Sequence, residues 1–435
     1  MQPARRALLA AQAGRREQAA AIVKQLVVDE FGLDVHEVEI GRDQYSLNSV
    51  NGLLSTGGHG EFFFKFHHEE GEEHTLEEFY RGDLLKAAGY PVDVPVFVSR
   101  RVGRQILLYA RRRSARFADV CRELDRSAGA GGSPGADIRA ALEAQWALDD
   151  LTRAIYERTF HRSNPELSAA EPIHQLFHRR LVTPGDSRVP GGRARRFFWG
   201  ADYRVGRLVL SADELRCARW RINGTRYRHS IDALLNRSLE LLEPSRLGCG
   251  AAVTAHGDAH NANVWWEDGA APQLTLFDPA FAGRHVPALL AEVKATFHNC
   301  LAHPFWLYDP GEAADRFSPE ARWSGGELEV TLDWELSPLR AAFLASKAQR
   351  IWRPLLARLA ASGCLETDWR ETLRSALFCC PALVMSLRAG EAPAHNPISS
   401  LIGLAVAVMA GSEPLAGGED VVSCFFDGIS PASSP

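Results

Sequence analysis

One polar spacing constrains this chain more than anything else in it. In Thr254-Ala255-His256-Gly257-Asp258-Ala259-His260-Asn261-Ala262-Asn263 an Asp is followed five positions later by an Asn, and a second Asp, Asp278, comes after two short apolar runs. Trp265-Trp266-Glu267, Asp268-Gly269 and residues 274–277 read as a β-hairpin with a DG turn. A hairpin returns its two ends to one place, so Asn263 and Asp278 are expected side by side with Asp258 just upstream. One carboxylate to orient a hydroxyl and two oxygen-bearing side chains to hold a hard cation is the set that phosphoryl transfer from a magnesium nucleotide needs. A zinc reading of His256 and His260 would need a helix, for which Gly257 and the neighbouring asparagines are poor material, and HExxH lacks its glutamate here.

The 435 residues suffice for two or three domains or one two-lobed enzyme with insertions. A net charge of -5 argues against broad nucleic-acid binding. No run of 18 apolar residues occurs, so a membrane span is not expected. The eight cysteines show no CxxC pair, which suggests neither a zinc framework nor a disulfide scaffold. Four arginines in the first 25 residues leave a transit peptide open, but a leading amphipathic helix is the simpler account, and a cytoplasmic protein is expected.

Along the chain, residues 15–30 have helical periodicity, with Ala19, Ile22, Val23, Leu26 and Val27 on one stripe. From Val38 the texture becomes strand, a polar loop over residues 46–52, strand, glycine turn and strand. Residues 75–88 read as a helix stopped by Gly89, and residues 93–98 and 105–110 as further strands. Residues 127–135 have linker composition, and a second break over 184–192 precedes Arg193, Arg195 and Arg196, read as a solvated loop. After Asp278 helical periodicity returns over 341–359, 369–378 and 397–410, and residues 417–435 thin into Gly, Ser and Pro.

Four elements then stand in a meaningful order. The small residues of the loop, Ser49, Asn51 and Gly52 among them, would let backbone N–H groups approach phosphate oxygens. Lys65 is a lone lysine among phenylalanines and, on strand alternation, faces away from Phe64 and Phe66. The acid-bearing helix after it offers Glu78, with Glu77 second, as its partner. The catalytic loop follows, with Asp258 to orient the acceptor hydroxyl, Asn263 to bind magnesium and His256 to brace. Asp278 completes the metal site.

His256-Gly257-Asp258, Asn263 and Phe277-Asp278-Pro279 resemble the HGDxHxxN pattern and metal-binding Asp of the aminoglycoside phosphotransferase and choline kinase superfamily. Gly89-Tyr90-Pro91-Val92-Asp93-Val94-Pro95 looks like that family's turn into its fourth strand, so matched motifs run over about residues 38–283. The resemblance implies an α+β, bilobal protein-kinase-like fold: an antiparallel-sheet N-lobe with one main helix over residues 1–110, and a large, mostly helical C-lobe over 111–435. Within the latter it places the catalytic loop at 254–263, the metal Asp segment at 274–283 and an insertion around 122–205. Residues 106–111, with Tyr109 and Arg111, would be the last N-lobe strand and the hinge whose backbone reads adenine. It further implies ATP and magnesium as cofactors and a small-molecule acceptor bearing a hydroxyl; the charge and the apolar runs lead to the expectation of no nucleic-acid or membrane partner. After Asp278 the family often carries a Trp and a Gly-Asp-Pro segment, where this chain has Ala280-Phe281-Ala282-Gly283-Arg284-His285. A protein kinase, a nucleotidyl transferase on the same fold, and a nucleotide-binding pseudoenzyme are the alternatives. No Ala-Pro-Glu closes an activation segment after Asp278, which tells against the first.

Overall fold

The computed structural model describes residues 2–41, 49–67, 81–101, 103–129, 135–185, 189–269, 271–390, 395–416 and 419–431. Two helices open the chain, α1 (Pro3–Gln12) and α2 (Arg16–Phe31). The second is the expected amphipathic helix, burying Ala19, Val23, Leu26 and Val27 and ending at Gly32 in the left-handed conformation. Both pack on an antiparallel sheet of β1 (Val35–Ile40), β2 (Ser49–Thr56), β3 (Gly60–His67), β4 (Phe97–Ser99) and β5 (Ile106–Ala110), in the order β1-β2-β3-β5-β4. Phe62 and Phe64 point into the core with α1 and α2, each contributing roughly 1.5–3 kcal/mol by its burial. The alternate residues of β3, Phe63 and Lys65, face the other way.

Of the polar loop over residues 46–52, residues 46–48 lie outside the described residues and the rest is strand. Ser49, Asn51 and Gly52 belong to β2, where Asn51 pairs with Lys65 and Gly52 with Phe64. A Cβ on Gly52 would overlap Glu39 O and the Phe64 ring, so the glycine serves close packing of strand on side chain. Asn51 is buried, with its amide against Gly41. Of the predicted helix, the described part is α3 (Gly82–Ala88), closed by Gly89 at φ 98 as expected. Residues 68–80, with Glu77 and Glu78, lie outside the described residues.

The rest of the chain builds a second core, mostly helical. Helix α4 (Phe117–Gly129) takes up residues 127–129 and α5 (Gly135–Thr159) begins at Gly135, so the linker composition covers two helix ends as well as residues 130–134, which lie outside the described set. Arg193, Arg195 and Arg196 lie on the helix Gly192–Phe198 instead of a loop, with Arg195 over the Trp199 ring. Helices Trp369–Val384 and Pro397–Gly411 pack side by side. The supposedly thinning tail forms a helix, Val421–Ile429, because Asp420 caps it and Phe425, Phe426 and Ile429 find the core. A sheet absent from the sequence reading sets Arg219–Ile222 parallel to Glu327–Thr331. Among the described residues no helix is long and apolar enough to cross a membrane.

Two features position the site. Strand Ala251–Ala255 is buried along its length between Gly283–Pro287 and His161–Arg162, and it delivers the loop that carries Asp258 and Asn263. The peptide after α3 joins the catalytic hairpin: Asp93 N donates to Leu276 O at 2.8 Å, and Leu276 N to Pro91 O at 2.7 Å. The β1–β5 sheet is thereby tied to the strand that leads into Asp278.

Candidate active site

At the end of the buried strand the chain must turn sharply. Gly257 does so at φ +79, where a Cβ would lie 2.5 Å from Phe281 O, so glycine alone fits. His256 locks the turn: Nε2 donates to Phe277 O at 3.0 Å and Nδ1 accepts the Asp258 N–H at 3.3 Å. Burial holds His256 below its ordinary value, so the ring is neutral and in the one tautomer these bonds require. It braces the loop that carries Asp258.

Asn263 closes a 3-10 turn, Asn261–Asn263, anchored by Asn261 N donating to Asn299 Oδ1 at 2.7 Å. Strands Val264–Glu267 and Gln273–Leu276 then pair antiparallel with Val264 opposite Leu276. The hairpin is as expected, except that its loop is longer than the two residues of a DG turn. Phe277 N donates to Asn263 O at 2.9 Å, so the hairpin brings Asn263 and Asp278 to one end. Asp278 takes φ 59, a left-handed conformation that Asp tolerates better than most residues.

The carboxylate of Asp278 accepts a hydrogen bond from Lys65 Nζ, joining β3 to the catalytic hairpin across 213 residues of chain. Both side chains are mostly buried, at 15% and 19% exposure. Glu78, the partner expected for this lysine, lies outside the described residues. Asn263 Nδ2 donates to the Asp258 backbone carbonyl at 3.0 Å. That bond commits the amide nitrogen and turns the amide oxygen into the end able to meet a cation. One carboxylate and one amide oxygen suit magnesium, which takes few protein ligands and completes its shell with phosphates and water. Among the described residues no cluster of three His, Cys, Asp or Glu makes an all-protein cage.

Lys65 and Asp278 stand at one end of a cleft of about 310 Å³. Its walls are largely flat and apolar: Leu53, Phe63, and Trp265 stacked on Phe277 with ring centroids 4.3 Å apart. Trp265 is fixed by Nε1 donating to Asp93 at 3.1 Å, and Arg112 grips the same carboxylate. Tyr109 and Arg111 line the cleft. The Arg111 backbone N–H, however, is committed to Glu61 O at 3.0 Å, so of the Arg111 main chain only the carbonyl is open to a ligand. Asn51 and Gly52 are not among the cleft residues.

The departure after Asp278 has its own anchoring. Arg81 donates to Ala282 O at 3.0 Å and to Glu171, and Glu171 accepts from His285 N at 2.8 Å. Gly283 leaves room for that carboxylate. Sequence reasoning missed Arg81 and Glu171, and it missed Lys294, whose ammonium lies 3.9 Å from Asp258 Oδ1. The spacing of Lys294 and His298, four apart in an otherwise apolar helical stretch, was the available signal.

No family model matches the chain, and no curated protein matches it. Among solved structures it is similar to the GDP and kanamycin complex of APH(2")-IIia, at 11% identity over 83% of this chain and 89% of that one, with a TM-score of 0.38. It is similar also to macrolide 2'-phosphotransferase type I, at 11% identity over 95% and 98% with a TM-score of 0.36. Plasmodium vivax ethanolamine kinase matches at 10% identity over 89% and 84%, with a TM-score of 0.37. Likeness at this level carries no functional argument; the geometry of the cleft does.

Proposed function

We propose that the protein is an ATP- and magnesium-dependent phosphotransferase that moves the γ-phosphate to a hydroxyl of a small molecule, a metabolite or an antibiotic. The observation that carries the reading is the meeting of three segments: Asn263 bonded to the Asp258 carbonyl, Asp278 beside it at the hairpin end, and Lys65 of β3 on the Asp278 carboxylate. In this reading residues 1–110 are the N-lobe and 111–435 the C-lobe of a kinase-like enzyme, with the adenine between Phe63, Tyr109 and the Trp265–Phe277 stack. Its site of action is the cytoplasm, where ATP is supplied.

Lys65 binds the α- and β-phosphates, exchanging the Asp278 carboxylate for them. Asp278 and the amide oxygen of Asn263 hold the magnesium ion, which neutralises phosphate charge when bound. Asp258 orients the acceptor hydroxyl. As the new O–P bond forms and the bond to the bridging oxygen of ADP breaks, the hydroxyl proton passes to Asp258. Positioning and charge supply most of the acceleration. Glu78 remains the proposed partner of Lys65 once the nucleotide has displaced Asp278.

The test has two parts. Incubation of a metabolite extract with ATP and magnesium should yield a phosphorylated product by mass spectrometry. Asp258→Asn should lower turnover about 10³-fold while calorimetry finds magnesium-nucleotide affinity unchanged. Absence of magnesium-nucleotide binding, or an Asp258→Asn protein as fast as wild type, would overturn the proposal.

A further inference from the structure

Beside Asp258 stands a chain of buried polar groups that nucleotide and metal binding leave unused. Lys294 is 3% exposed and belongs to the short helix Val293–Thr296, whose next turn, Phe297–Leu301, is a π-helix. Its Nζ lies 2.7 Å from His298 Nε2, and His298 Nδ1 lies 2.5 Å from the Tyr308 hydroxyl. An ammonium can only donate, so His298 Nε2 accepts and Nδ1 carries the proton toward Tyr308. Burial, reinforced by the Lys294 charge, holds His298 well below its ordinary value, in keeping with a neutral acceptor. π-Turns of this kind concentrate at functional sites.

At its other end the ammonium faces Asp258. Asp258 Oδ1 is buried with no hydrogen-bond partner among the described residues, and Lys294 Nζ is 3.9 Å away. Oδ2 lies 3.8 Å from His260 Nε2, and 13% of the side chain is exposed. The two oxygens are therefore unlike: one is dry and faces a cation, the other faces His260.

We propose that Lys294 is a positioning residue for the transfer step: fixed by His298 and Tyr308, its ammonium draws Asp258 Oδ1 and leaves Oδ2 to orient the acceptor hydroxyl and take its proton. The proposal rests on the phosphotransferase reading, in which Asp258 orients the acceptor. It gives the polar members of the aromatic stretch 297–308 a purpose beyond packing. Beside the Cys380 thiol, the other groups acting on Lys294 are Arg180 and Arg193, both cationic, so Asp258 is the carboxylate that opposes its burial.

Because the acceptor is unidentified, the experiment uses magnesium-dependent phosphate release from ATP, with water as acceptor. Lys294→Met should lower kcat about 10²-fold with the nucleotide KM unchanged. On an Asp258→Asn background it should cost nothing further, because both changes strike one unit. A purely structural role would lower activity equally in both backgrounds. If Lys294→Met does not fold, His298→Phe decides, since it keeps the charge and removes its tether: a kcat loss of about tenfold supports the proposal, and an unchanged kcat overturns it. A folded Lys294→Met protein with wild-type kcat, or with losses additive to Asp258→Asn, overturns it as well. Wild-type protein that neither binds magnesium nucleotide nor releases phosphate would instead remove the functional reading itself.

Discussion

Two lysines are buried in the helical part of the molecule, and their surroundings differ in kind. Lys347 has Asp149 at 2.7 Å and Glu292 at 2.8 Å, both carboxylates buried and themselves hydrogen-bonded by Gln145, Ser346 and Tyr156. Burial opposes its charge, yet the two carboxylates outweigh that, and its ammonium is held above the ordinary value. Lys294 is as buried, but its nearest carboxylate oxygen is 3.9 Å away, and there burial wins and pushes the ammonium down. A lysine saturated by partners belongs to the architecture. One kept short of its partner, beside a carboxylate oxygen that lacks a hydrogen bond among the described residues, marks a candidate functional site.

The comparison breaks most visibly at Lys347. Lys347→Met leaves two buried carboxylates without their cation and should destabilise the fold by about 3–5 kcal/mol, read as a lower denaturant midpoint. Lys294→Met should cost far less stability, because the Asp258 side chain retains 13% exposure, which lets water reach its carboxylate. Equal losses of stability at the two positions would erase the distinction.

Acid sharpens it next. Burial pushes His174, His260 and His395 down to about 4 each, against 6.5 unperturbed. Between those values the unfolded chain binds protons that the folded one excludes. Stability is therefore full above pH 6.5 and is lost as the pH falls toward 4, at about 1.4 kcal/mol per pH unit for each histidine. Denaturation curves across that window check the slope. Since His260 faces Asp258 and His174 does not, His174→Asn should flatten the stability profile and leave the pH dependence of turnover as it is.

How much of this was legible in the sequence depends on what is local. The loop 256–263 and the hairpin after it are contiguous, and antiparallel hairpin pairing brings Asn263 next to Phe277. The first sheet was legible for the same reason, since Phe62, Phe64 and Lys65 declare their faces by a period of two. Gly52 deceived because a small residue is equally at home in a phosphate loop and under an aromatic ring. The Lys65–Asp278 pair spans 213 residues and Lys294–Asp258 joins two separate elements, so no window could have shown either. The parallel pairing of Arg219–Ile222 with Glu327–Thr331 was hidden likewise, its strands being four and five residues long.

The smallest effect belongs to the tail, which composition suggested would thin out. Asp420 accepts from Val422 N and Ser423 N, both at 2.9 Å, and so caps the helix Val421–Ile429. Its second oxygen takes the Ser423 hydroxyl at 2.7 Å and the Tyr227 hydroxyl at 3.0 Å. Like the carboxylates around Lys347 it is saturated, but its partners are neutral and Asp420 itself is only half-buried, so no charge is stranded when it is removed. Asp420→Ala should therefore cost about 1 kcal/mol and leave turnover untouched. Calorimetry alongside a kinetic assay separates the outcomes. A loss of several times that size would mean that the terminal helix, through Phe425 and Phe426, holds the helical core as firmly as the Lys347 network does.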